Sequence, residues 1–161
     1  MAERLMIVAA LALLAAINFG IATKERLLAD GRVLLLELAP VDPRSLMQGD
    51  YMALRFALAN KVSGTGTNQN GKLVVTADQQ GVAVFRRLDD GTPLAQDELL
   101  VRYRLRQGRV QIASNAFFFQ EGKAGDYAGA RYGELRVAGN GEAILTGLRD
   151  ANLAPIGART D

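Results

Sequence analysis

A chain of 161 residues, 49% hydrophobic and 22% charged, has the composition of a packed fold with room for one domain and one appendage. It contains no cysteine and no histidine, which excludes disulfides, thiolate chemistry, zinc sites of the usual ligand sets and every Ser-His or Cys-His nucleophile pair. The net charge is only +2 and 15 of the 19 basic residues are Arg, a balance suited to fixed ion pairs and anion contacts; there is no nucleic-acid motif, and no cofactor is expected.

Residues 5–22, LMIVAALALLAAINFGIA, form an apolar run of 18 whose one strongly polar member is Asn18. As a helix this run is about 27 Å long, close to the hydrocarbon thickness of a bilayer, and helix formers continue to Gly31, a natural C-cap. The best candidate cleavage sites lack a clean A-x-A pattern, so a retained transmembrane anchor is expected rather than a cleaved signal peptide. Ala9, Ala10, Ala12, Ala15, Ala16 and Gly20 permit close approach of a second helix, and Asn18 at membrane depth is expected to face a partner.

RVLLLELAPV after Gly31 reads as a strand buried on both faces. In residues 39–56, APVDPRSLMQGDYMALRF, Pro40 and Pro43 forbid helix, Asp42 and Ser45 offer oxygens to local amides, and Gly49 is free to turn. An alternating strand follows, with Tyr51, Ala53 and Arg55 on one face and Met52, Leu54 and Phe56 on the other. Asp50 at the strand entrance is expected to tie down turn amides, and Tyr51 to be a packed ring. Residues 60–71, NKVSGTGTNQNG, are nearly all turn formers and read as an exposed loop.

KLVVTA (72–77) and VAVFRRL (82–88) read as strands joined through Gly81, and Asp89, Asp90 and Gly91 make the next turn. ELLVRYRLR (98–106) and RVQIAS (109–114), separated by Gln107 and Gly108, carry a strong hairpin signal. Val101, Tyr103 and Leu105 share one face of the first strand; Arg102, Arg104 and Arg106 share the other, as a solvated face paired with acidic neighbours or as an anion or headgroup contact. Phe117, Phe118 and Phe119 must occupy both faces of what they form, so one ring covers a second surface. Residues 125–132, GDYAGARY, repeat residues 49–56, GDYMALRF, at Gly, Asp, Tyr and Arg, either as a duplicated corner (Gly125, Asp126, Tyr127) or by coincidence. A last hairpin spans 135–148, and 152–161 reads as a loose tail.

Gly49, Asp50, Tyr51, Leu54 and Phe56, preceded by PVDPR (40–44), resemble the signature of the bacterial GDYXXLXY family, with Phe56 where the family motif has Tyr. The resemblance implies a membrane-anchored envelope protein of unassigned role and covers nearly the whole chain. It also implies a domain outside the inner membrane, facing the periplasm or exterior. The basic residues favour the reverse, with Arg4 before the span and Lys24, Arg26 and Arg32 after it, but anchors followed by large domains translocate regardless of small charge differences.

The fold expected is mainly β: an anchor helix with a short aqueous extension (1–31), one antiparallel β domain, sandwich- or barrel-like (32–150), and a tail (151–161). The function expected is a non-enzymatic accessory or scaffold subunit that binds a larger membrane partner or self-associates, through Asn18 and the Arg102, Arg104, Arg106 stripe, with the bilayer as its other partner. Two alternatives are weighed. The helix is similar to that of type IV pilins, with Glu3 near its start, but no Gly-Phe processing site precedes it. The anchor and β domain are also similar to signal peptidase, a Ser-Lys hydrolase, yet its nucleophile position falls on Pro40 and Ser45 is displaced. Lys24, Lys61, Lys72 and Lys123 lack the matching context.

Overall fold

The computed structural model describes residues 2–39, 47–48, 51–65 and 69–157. Helix α1 (Ala2–Asp30) leads into β1 (Arg32–Glu37), β2 (Met47–Gln48), β3 (Tyr51–Ala53), the short helix α2 (Ala57–Ser63), β4 (Gly71–Ala77) and β5 (Ala83–Leu88). There follow β6 (Glu98–Arg106), β7 (Arg109–Ile112), β8 (Ala116–Phe118), a 3-10 turn (Ala124–Tyr127), β9 (Tyr132–Val137), β10 (Ala143–Arg149) and β11 (Pro155–Ile156). The chain is mainly β, with antiparallel sheets curved as half-barrels behind an N-terminal apolar helix.

Three sheets carry the domain, in strand orders β1-β9-β10-β11, β2-β3-β8 and β5-β4-β6-β7. Backbone contacts close the seams between them. Leu35 pairs in parallel with Val82, Leu38 bridges to Phe56, and the Arg102 amide donates to the Gly141 carbonyl at 2.7 Å. The core fills the space between: Leu34 and Leu36 from β1, Leu73 and Val75 from β4, Val101 and Tyr103 from β6, Leu135 from β9, with Met52, Leu54, Phe56 and Val62 beneath. Burial of these apolar side chains is the main stabilising term.

The alternation expected for residues 51–56 is observed, with Met52, Leu54 and Phe56 buried while Tyr51 and Ala53 are half-buried and Arg55 is exposed. β1 buries Leu34, Leu35 and Leu36 in succession, as a strand covered on both faces must. The β6–β7 hairpin turns through Gln107 (φ 50) and Gly108 (φ 73), the double left-handed conformation of a type I′ turn. Asp78 Oδ1 accepts from the amides of Gln80 and Val82 and shapes the turn between β4 and β5.

Two local expectations are corrected. Residues 57–63 are helical, where the turn formers from Asn60 onward predict an exposed loop: Leu58, Ala59 and Val62 fall on one helical face and are buried, which outweighs the turn formers around them. The tail contributes β11, which pairs with β10 through Leu148 opposite Ile156.

Candidate functional site

Apart from Asn18, the described residues singled out in sequence collect in two places. The first is the motif. Pro43, Gly49 and Asp50 lie outside the described residues, as do Pro40, Asp42 and Ser45. Tyr51 stands opposite Phe118 across β3 and β8, their ring centroids 5.7 Å apart. Leu54 is buried and its amide donates to the Asn115 carbonyl at 2.8 Å. Phe56, 2% exposed, packs where Gly133 presents no side chain: a Cβ there would come within 2.8 Å of the Phe56 ring.

The second GDY copy adopts another conformation, since Gly125, Asp126 and Tyr127 lie in the 3-10 turn whereas Tyr51 is extended. The copies nonetheless converge on the same elements. Phe117 and Phe119 hold Tyr127 between them, at centroid distances of 5.2 and 5.1 Å, while Phe118 on the other face of β8 meets Tyr51. At the end of β1 the Leu38 amide donates to the Arg131 carbonyl and the Ala39 amide to the Arg55 carbonyl, so the matched arginines of the two copies flank one strand. The three-phenylalanine run is therefore the splice between the copies. Its middle ring, Phe118, remains 74% exposed.

The second place is a cleft of about 450 Å³ lined by Lys24, Arg102, Arg104, Arg106, Gln111 and Glu142. β6 sets the spacing: alternate side chains share a face and stand about 7 Å apart, while Val101 and Tyr103 turn into the core. Lys24 comes from α1, and its Nζ donates to Glu142 Oε1 in the turn before β10. That bond from Lys24, with the positive charges of Lys24, Arg102 and Arg104, holds the Glu142 carboxyl below its ordinary value of 4.5 against the opposing effect of burial.

The acidic neighbours expected to pair the stripe are not on the adjacent strands. Register places Lys72 opposite Arg102, Gln111 opposite Arg104 and Arg109 opposite Arg106. Among the described residues no carboxylate forms an ion pair with Arg102, Arg104 or Arg106. Like charges directly across a sheet are destabilising, and with Glu142 as its one carboxylate this face carries an excess of positive charge. Lys24 and Glu142 escaped the sequence reading of the site because they are 118 positions apart and no local pattern joins them. Gln111 and Arg109 were within reach of it, since the hairpin turn fixes their register.

Asn18 lies on α1 away from both places; its Nδ2 donates to the Leu14 carbonyl at 2.9 Å. The hydroxyls of Ser63 and Ser114 likewise donate to backbone carbonyls, of Ala59 and Ala116.

No curated protein and no solved structure matches the chain. The sequence model described as GDYXXLXY protein matches residues 13–148, from the middle of α1 to the last core residue of β10. With the motif strand, the splice at β8 and strands β1 and β9 all inside that span, the chain belongs to the GDYXXLXY family.

Proposed function

We propose that the protein is a membrane-anchored accessory subunit: α1 crosses the bilayer and associates sideways with another transmembrane helix, and the β domain works at the membrane surface, binding rather than catalysing. The observation that carries this reading is α1 itself. Residues Arg4–Asp30 are a helix whose apolar 18-residue window has a mean hydropathy of 2.5, long and apolar enough to cross a membrane, with none of that window buried against the domain. Leu5 and Phe19 are 72% and 75% exposed. Such a surface is stable in hydrocarbon and costly in water.

Sideways association rests on Asn18. One N–H of its side-chain Nδ2 is used within the helix, and among the described residues its side-chain Oδ1 accepts nothing, which in hydrocarbon favours a donor on a second helix. Leu14 and Leu11 lie on the same face, with Ala15 and Ala12 beside them to allow close approach. The inner membrane of a bacterium with the domain in the periplasm is the setting this reading takes.

Cysteines placed singly along residues 5–22, in a chain that has none, report the arrangement through photo-activated cross-linking in native membranes. Protein adducts with helical periodicity centred on Asn18 are expected. Labelling by lipid probes around the whole helix without a protein adduct would show that α1 is a tether only.

A further inference from the structure

The cleft beside the membrane end of the domain has a charge pattern that the fold does not use. Arg102, Arg104 and Arg106 form no ion pair with a carboxylate among the described residues, Lys72 and Arg109 stand across from two of them, and Glu142 is the one carboxylate in the lining. Its single hydrogen-bonded cation is Lys24, so the three guanidiniums remain open to an anion. Planar guanidiniums match the oxygens of phosphate in two-pronged fashion, and Gln111, opposite Arg104 on the facing strand, adds a neutral donor.

Position narrows the ligand. The apolar run ends at Ala22, and Lys24 is two residues on, about 3 Å further along the helix axis. The headgroup layer outside the hydrocarbon core is about 5 to 8 Å deep, so a span ending at Ala22 places Lys24, and the cleft it lines, at headgroup level. A concave volume of about 450 Å³ is the size of a small-ligand site, not of a flat protein interface.

We infer that this cleft binds a phosphate ester, presented by an anionic phospholipid of the membrane that α1 spans. Arg102 and Arg104 grip the phosphate oxygens, Arg106 and Gln111 border the headgroup, and Glu142 limits the affinity by its own charge. The inference rests on α1 as a span and is independent of any helix partner.

The test uses the full chain in mild detergent micelles doped with equal amounts of phosphatidylglycerol and phosphatidylcholine, with retained lipids counted by native mass spectrometry. Selective retention of phosphatidylglycerol is expected. Arg102→Gln with Arg104→Gln should weaken it about twenty-five-fold, the product of about fivefold per cation lost near an anionic surface. Lys61→Gln with Lys123→Gln removes the same charge away from the cleft and should leave retention unchanged. Glu142→Gln should strengthen retention, a sign that damage to the fold would not produce. Equal retention of the two lipids, or equal loss in both double variants, would overturn the inference. Free glycerol phosphate binding as tightly as the lipid would assign the site to a soluble ester and remove the membrane from it. Flotation of the chain with phosphatidylcholine vesicles in alkaline carbonate reports the span alone, so its failure is read separately.

Discussion

At the scale of single residues the motif owes its character to close packing around rings. Phe56 is 2% exposed and lies against the bare backbone of Gly133. Truncation by Phe56→Ala removes the ring and leaves a cavity, so a loss of about 3 to 5 kcal/mol in unfolding free energy is expected from chemical denaturation of the β domain. Gly157 serves the second copy. Its φ of +67 lies in the left-handed region, and an added Cβ would fall on the Tyr127 hydroxyl. Gly157→Ala should therefore destabilise by about 1 to 3 kcal/mol, from backbone strain and displacement of Tyr127 together. Gly81→Ala, also left-handed but with open space around it, provides the comparison: it should cost the strain alone, and equal losses at the two positions would show that Tyr127 does not depend on Gly157.

Among elements, the informative ones are α2 and the joint between α1 and the sheets. Asn60 is an exposed position inside α2, so Asn60→Ala should stabilise and Asn60→Gly destabilise, with a difference of up to about 1 kcal/mol that a loop would not show. The joint consists of buried Leu27, the Gly31 amide on the Leu27 carbonyl, Arg136 Nη1 donating to the Gly31 carbonyl at 3.0 Å, and the Lys24–Glu142 pair. Because the Glu142 carboxyl is held below 4.5, its contribution is fully present above about pH 4.5 and is lost as pH falls through the lower folded value. Lys24 is about half exposed, so solvent screening limits the pair to about 1 kcal/mol or less. Melting of Glu142→Gln and of the natural chain, compared across pH, should converge in acid and differ slightly at neutral pH. A difference that grows toward acid would reverse the sign and reject the pair as a stabiliser.

For the whole molecule the division of labour between helix and domain makes two checks. Among the described residues the core cluster draws its members from β1 onward and takes none from α1. A fragment of residues 32–161 should therefore fold with a single cooperative transition, losing the packing of Leu27, about 1.5 to 3 kcal/mol, together with the Lys24–Glu142 pair and the Arg136 bond to the Gly31 carbonyl. Absence of that transition would mean that α1 is a structural part of the domain. Intact mass of the protein extracted from membranes should retain residues 1–22, or lack only Met1. A mature form that begins beyond Ala22 would make α1 a transient signal and withdraw both the anchor and the membrane placement of the basic cleft.

What the sequence alone determined is what local chemistry decides. The length and apolarity of residues 5–22 specify a helix of membrane length, alternation specifies the inward faces of residues 51–56 and of β6, and Gln107-Gly108 specifies a hairpin and its register. The loop reading of residues 60–63 failed because turn propensity is a weak preference, overridden once Leu58 and Val62 had a core to enter. Only the tertiary structure decided which distant segments meet. It brought Lys24 to Glu142 beside Arg102, set Tyr51 against Phe118 and Tyr127 against Phe117 and Phe119, and left the arginine stripe without a carboxylate across from it on the adjacent strands. Such contacts arise from sheet order and from the burial of apolar surface, and neither is encoded in the spacing of the residues that they bring together.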